Sequence, residues 1–592
     1  MTQPHAPLDK RSQRPGPGWM WALYLTPALL TAGYIAVYGV NVPVLDEWGL
    51  PYLFYMLKTG GYSFGQLFWP PNNEHRVVLP KLIWAALAFP THWNLLLNMF
   101  ITLAVMLGAF VGMVRSAVRE HSGRRATLHA AVLASAILLF SFEHLETWLF
   151  TYGFTFVLAI CLAIAAMLVL GEPGLHPLVR LWIAVALCFL STFSSGQGIF
   201  AWVAMLPAVL FAFPSTRQRV IACLSVMACF ALTMSVYWID YHPDRTFSPD
   251  PMLLWRHPIQ VLLFWLALVG APLSQASCNP AQVAPWFGAA SLASLAVAMF
   301  AAIRNRILPR VAVWISLGTY GVGVAAMVAV KRAAWGVGVA AVTSRYMIHA
   351  VLIQVALLFL LAGLASRKRA WRPALWSTAI VIAGVEILSY PSFIERAREL
   401  HDARTMAAQA LEIMPYIDPA TDQMAQGLLF PLFPLVMPVS YVRTPAELLY
   451  RAGLRWIEHN AVFDEHPAFC GCLDSPALRA GESLALGKSD ALPVSGWAVY
   501  PGSTSLPKMV FFSTGDRRVF VFGTKVGTIN RPDVGTLVKN QALSRSGWSA
   551  AVPAALLPVG DFEVKAWIYD RKHSRFLRLA TCNGPNRIVR FN

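Results

Sequence analysis

Runs of apolar residues bounded by polar or proline-rich text recur along the first two-thirds of the chain and then stop. A bilayer core takes about 20 helical residues at 1.5 Å each. Runs of that order predict spans at 20–40, 93–114, 126–142, 150–170, 180–193, 198–214, 220–239, 281–303, 311–330, 346–365 and 374–390. The apolar stretch 258–272 is shorter and ends in Gly270-Ala271-Pro272, which suits a re-entrant or interfacial element. The fold class expected is mainly α: a polytopic transmembrane helical bundle of about 11 spans plus a re-entrant segment, followed by an extracytoplasmic β module.

After residue 390 the pattern changes. Glu395, Arg396, Arg398, Glu399, His401, Asp402 and Arg404 interleave with Ile394, Leu400 and Met406, which predicts an amphipathic helix. Pro-rich apolar text at Leu428–Pro438 and a second helix at Ala446–Ile457 follow. From Val494 the runs shorten to strand length, at 508–513, 518–522, 562–569 and 575–579, with Gly and Pro between them. That spacing predicts a small antiparallel β-sandwich of about one hundred residues, for which glycan binding and a spacer role both stand open. The division expected is a cytoplasmic tail 1–19, a membrane domain 20–390, a helical connector 391–480 and the β-sandwich 481–592.

Composition agrees: 57% of the 592 residues are hydrophobic and 13% charged, with a mean hydropathy of +0.53. A soluble domain carries roughly a quarter of its residues as charges. The net charge of +17 raises nucleic acid as a partner, so the placement of the basic residues decides. Alternate loops hold seventeen of them: Lys10, Arg11 and Arg14; Arg115, Arg119, Arg124 and Arg125; Arg180; Arg217 and Arg219; Arg304, Arg306 and Arg310; Arg367, Lys368, Arg369 and Arg372. The opposite set holds eight, Lys58, Arg76, Lys81, Arg245, Arg256, Lys331, Arg332 and Arg345. By the positive-inside rule the N-terminus is cytoplasmic, the first span is uncleaved and the tail lies outside. The basic excess is then topological, and nucleic acid drops out.

Cys161, Cys188, Cys223 and Cys229 fall in apolar spans, where a thiol is a small hydrophobe. In the tail, an oxidising compartment permits a disulfide from Cys582 to Cys470 or Cys472. Cys470-Gly471-Cys472 lacks the second ligand pair of a zinc site, and no metal site is assigned.

The candidate chemistry lies on the outside loops. The first carries Asp46-Glu47-Trp48 and then Asn72-Asn73-Glu74-His75-Arg76, ionisable groups near the hydrocarbon boundary that suit a reaction site as well as ordinary loop solvation. The second carries Glu143 and Glu146 three apart, suited to pairing with Arg76 or Arg345 or to binding a substrate hydroxyl. Ser194-Ser195-Gly196-Gln197-Gly198 is a polar turn presenting Gln197, and Lys331, Arg332 and Arg345-Tyr346 put cations on the cation-poor side. Those cations suit an anionic ligand or lipid headgroups, Arg345 being the sharper candidate for phosphate. A carboxylate loop and a cationic loop on one face suit group transfer from a phosphate-linked lipid to a hydroxyl, the acid taking the proton and the cations holding the phosphate.

Asp46-Glu47 just after the first span, with Asn73-Glu74-His75-Arg76 and Ser344-Arg345-Tyr346, resembles the C-type fold of integral-membrane glycosyltransferases, over about residues 20–390. The resemblance implies a polyprenyl-phosphate sugar donor, a glycan or lipid acceptor of the bacterial envelope and, in some members, a divalent cation. It implies Asp46 as general base with Glu47 as alternative, and Arg76 and Arg345 on the carrier phosphate with His75 in support. Glu74, Glu143, Glu146, Gln197, Arg332 and Tyr346 complete the candidate substrate residues. The rivals are a lipid-linked glycan flippase or transporter, which predicts ionisable groups within spans such as Glu386, an O-antigen polymerase or ligase, and a receptor.

Overall fold

The computed structural model describes residues 18–120, 125–242, 252–422, 427–433, 440–476, 482–583 and 587–591. Lys10, Arg11, Arg14, Arg124 and Arg245, most of the cytoplasmic tail and the 434–438 part of the Pro-rich stretch lie outside the described residues. The chain is mainly helical and divides into two compact units, Met1–Gly39 with Gly61–Arg398, and Val40–Gly60 with Glu399–Asn592.

Among the described residues nine helices are long and apolar enough to cross a membrane, consistent with a multi-pass membrane protein: Gly18–Tyr38, Leu95–Glu120, Arg125–Trp148, Gly153–Leu170, Thr216–Trp238, Pro280–Arg304, Leu308–Trp335, Ser344–Arg367 and Arg369–Glu412. Two of the expected spans fall on shorter elements, Pro177–Thr192 and Gly196–Ala212. The turn at Ser194–Gly198 ends the first, and Pro207 interrupts the second, so neither run is a single helix of spanning length. Val78–Thr91 is a further short apolar helix, which the run lengths did not predict. The expected last span and the amphipathic segment after it are one continuous helix, Arg372–Glu412, with Pro391 inside.

Ser344–Arg367 is the central element of the first unit, buried along nearly its whole length, and Trp314 stacks on its Phe359 at 3.8 Å between ring centroids. The short segment Pro258–Gly270 lies so close to Pro280–Arg304 that a Cβ on Gly288 would stand 1.9 Å from the Leu266 carbonyl oxygen. Such small-residue approach replaces the hydrophobic drive that lipid removes.

In the second unit Val40–Gly60 forms a 3-10 turn, Leu45–Gly49, and a helix, Leu50–Thr59, that packs on the helix Ser440–Arg451. Trp48 donates to the Leu432 carbonyl at 3.3 Å, and Arg455 to that of Asn41 at 2.9 Å. Strands begin at Val462–Asp464, before the position the pattern predicts, and build a seven-stranded and a four-stranded sheet. Leu473, Leu492 and Val494 of the smaller sheet share one buried cluster with Val510, Phe512, Val564, Ile568 and Leu577 of the larger. The pairing departs from a purely antiparallel expectation: Val462–Asp464 runs parallel to Arg575–Arg578, Gly471–Ser475 to Ala580–Thr581, and Leu484–Leu486 to Arg587–Arg590. These pairs join segments about one hundred residues apart, beyond the reach of local alternation. Cys582 bonds to Cys472, while Cys470 stays a thiol in the cluster between the sheets.

Candidate functional site

A cleft in the first unit is lined by Glu74, His75, Gly196, Gln197, Ile199, Tyr237, Trp238, Tyr241, Met327, Val328, Lys331, Arg332 and Tyr346, and encloses about 710 Å³ including its open mouth. Five of the residues nominated from sequence meet here: Glu74, His75, Gln197, Arg332 and Tyr346. Distant helix ends and turns supply them, so only tertiary packing assembles the set.

Glu74 and His75 are presented by a tight turn closed by hydrogen bonds from the Asn72 amide to the His75 carbonyl at 2.8 Å and from the His75 amide to the Asn72 carbonyl at 3.0 Å. Asn73 at its corner takes a φ of 51°, a conformation asparagine tolerates better than most residues. The Tyr241 hydroxyl donates to the Glu74 carbonyl at 2.9 Å and pins the turn to the chain leaving the helix Thr216–Trp238. Burial, with the Glu74 charge, raises the Tyr241 hydroxyl above its ordinary range and keeps it a donor. Opposite, Gly196 lets the backbone reach the imidazole: a Cβ there would sit 2.6 Å from His75 Nδ1. Gln197 is held by Ser195, whose hydroxyl donates to its amide oxygen.

The charges are unequal in freedom. Arg332 forms an ion pair with Glu74, both largely buried, and its guanidinium lies 4.6 Å from the Trp335 ring centroid. Lys331 is exposed on the cleft wall and makes no ion pair among the described residues. A compact ammonium beside Tyr and Trp faces, above an apolar wall of Ile199, Met327 and Val328, can receive an anionic head whose stem is apolar.

The other nominated residues lie elsewhere. Arg76 is fully buried behind the aromatic wall: Nε donates to the Tyr237 carbonyl at 2.6 Å, and the two Nη groups to the carbonyls of Trp69 and Ile239. Its guanidinium lies 4.4 Å from the Trp69 centroid, and burial pulls its proton affinity down against the pull of Tyr237, Tyr241 and Asp240. These contacts give Arg76 a bracing place rather than a ligand-facing one. Glu146 meets Arg345 through the backbone: its carboxylate accepts from the Arg345 amide at 3.0 Å and the Ser344 hydroxyl at 3.1 Å, capping the helix Ser344–Arg367. The Arg345 guanidinium lies over Tyr346, 5.5 Å from its centroid.

Glu143 pairs with neither arginine among the described residues. It is fully buried, its amide donating at 3.0 Å to Ser141, whose hydroxyl donates to Glu386. Two carboxyl groups thus share one buried place, and among the described residues no basic side chain pairs with either. Asp46 and Glu47 belong to the second unit. The Glu47 carboxylate is buried and accepts from the Val44 amide at 2.8 Å, closing the turn that presents the half-buried Asp46.

Sequence reasoning did not nominate Tyr237, Trp238 and Tyr241 of the cleft wall; the aromatic spacing at the end of a span was their only trace. His349, fully buried on the central helix with neither ring nitrogen hydrogen-bonded among the described residues, was also missed. Cys472, Asp474 and Cys582 bring metal-ligating residue types within 4.8 Å of one another, but the two sulfurs are bonded to each other. Comparison of the chain with models of protein families, with curated proteins and with solved structures finds no match.

Proposed function

We propose that the chain is a bacterial inner-membrane glycosyltransferase moving a sugar from a polyprenyl-phosphate donor to a hydroxyl of an envelope glycan or lipid on the periplasmic face. The observation that carries it is the cleft, where a lysine that makes no ion pair among the described residues, an imidazole, an amide and an aromatic wall surround space for a phosphate-linked sugar above apolar residues. The finer architecture belongs to this proposal: a C-type bundle in which Pro177–Thr192 and Gly196–Ala212 supply two further crossings, and a β-sandwich outside. Lys331 takes the carrier phosphate in place of Arg76, with His75 and Gln197 on the sugar. Asp46, directly after the first apolar run, stays the proposed general base on the strength of its place in the sequence alone. The acceptor oxygen bonds to the anomeric carbon, its proton passes to the carboxylate, and the bond to the phosphate oxygen breaks with its electron pair leaving on polyprenyl phosphate.

The test is incubation of membranes with radiolabelled polyprenyl-phosphate sugars. Label should move to lipid or polymer with wild type, fail to move with Asp46→Asn, and require more donor with Lys331→Ala. Full transfer by both variants overturns the assignment. A second reading, a lipid-linked glycan flippase, is favoured by Glu143 and Glu386, because buried acids within spans mark transport paths. Donor reorientation in proteoliposomes without transfer of label would select it.

A further inference from the structure

The second unit contains a cleft of its own, lined by Glu465, His466, Phe469, Arg578 and Thr581 among others and enclosing about 680 Å³ with its open mouth. Its origin is topological. Two neighbouring segments run parallel in the larger sheet, Asp464 beside Leu577, and again in the smaller sheet, Cys472 beside Ala580. Between those pairings the first segment has seven residues and the second has two. The surplus must loop outward, and it carries Glu465, His466 and Phe469 with it. The Cys472–Cys582 bond ties the two segments together beside the loop.

Phe469 is 57% exposed, yet it is held edge-on against Trp497 with ring centroids 5.2 Å apart, and Trp497 is buried. An exposed aromatic face beside a polar, ion-paired rim suits a partner that is apolar on one side and polar on the other. Next to it Arg578 spreads its fork between Glu465, at 3.3 Å, and Glu563, at 2.9 Å, while Lys565 lies 3.8 Å from Glu465 and 3.2 Å from Asp516. The cations here are matched by carboxylates, so the cleft offers planar donors and acceptors without a strong net field. That balance disfavours an anionic ligand. The edge strand, Ala580–Thr581, has two residues and is too short to recruit a peptide strand.

We infer that this cleft binds a neutral saccharide, a pyranose stacking its C–H face on Phe469 while its hydroxyls bridge the Glu465–Arg578 pair. The inference goes beyond the proposed transfer reaction and does not depend on it, since it concerns recognition by the C-terminal sheets alone.

The experiment uses the full-length protein in lipid nanodiscs, without donor, on an immobilised array of neutral and uronic-acid oligosaccharides. Retention on neutral oligosaccharides is expected, with the affinity of Phe469→Ala reduced at least about tenfold and its melting temperature unchanged. Asp46→Asn should bind as wild type, which separates this site from the transfer reaction. Retention only on uronic acids, no retention, or equal binding by Phe469→Ala overturns the inference.

Discussion

Replacing Arg76 with alanine separates bracing from ligand binding, because the two roles act on different quantities. The guanidinium satisfies three backbone carbonyls, those of Trp69, Tyr237 and Ile239, while the Arg76 backbone amide, which any substitution keeps, donates to the Tyr237 hydroxyl at 3.2 Å. A hydrogen bond to a charged group contributes about 1.5–3 kcal/mol. Three of them sum to roughly 4.5–9 kcal/mol, but contacts sharing one group are not additive and water enters part of the vacated space. Stacking on Trp69 adds about 0.5–2 kcal/mol. The net expectation is a loss of about 3–5 kcal/mol, a large part of the roughly 5–15 kcal/mol that holds a typical domain folded. Arg76→Lys keeps a charge but reaches fewer carbonyls, so it should fall between. The assay is thermal unfolding of detergent-solubilised protein followed by tryptophan fluorescence and size exclusion. If Arg76→Ala melts with wild type while donor use falls, the guanidinium serves a ligand and the bracing argument fails.

Three further outcomes are expected. Glu386→Gln should fold about as well as wild type, because an amide of the same shape adds no charge beside Glu143 and its oxygen still accepts from Ser141; a drop beyond about 2 kcal/mol in the same melting assay would contradict this. Cys582→Ser opens a bond between residues 110 apart and should cost the second unit about 3–5 kcal/mol, read by denaturant titration with and without reductant; an unchanged midpoint would count against a stabilising bond. Glu458 is buried, which pushes its carboxyl up, but hydrogen bonds from the Tyr569 hydroxyl at 2.7 Å and the Asn460 amide at 2.8 Å help hold it below its ordinary value. With the unfolded value near about 4.3, its stabilisation is complete above that pH and is lost as pH falls through the lower folded value. Glu458→Gln should flatten the acid limb of the stability curve, and an identical limb in variant and wild type would show that other groups carry it.

Membrane-spanning character was legible in the chain because it is a one-dimensional property: a helix in hydrocarbon satisfies its own backbone, so a long apolar run is sufficient. The same reasoning located the strands near 508–513, 562–569 and 575–579. It also picked out Glu74, His75, Gln197, Arg332 and Tyr346, since polar residues at helix ends beside hydrocarbon are costly unless used. What spacing does not encode is the partner. Arg76 and Lys331 read alike in sequence, yet one is spent on carbonyls from the far end of another helix and the other faces the cleft. Val40–Gly60 follows the first span but packs with residues about four hundred positions away, and Cys582 bonds to Cys472, 5.9 Å away between Cα atoms, while Cys470 is buried in the cluster between the sheets. These outcomes depend on contacts between segments far apart in the chain, whose energies exist only after the backbone has closed around them.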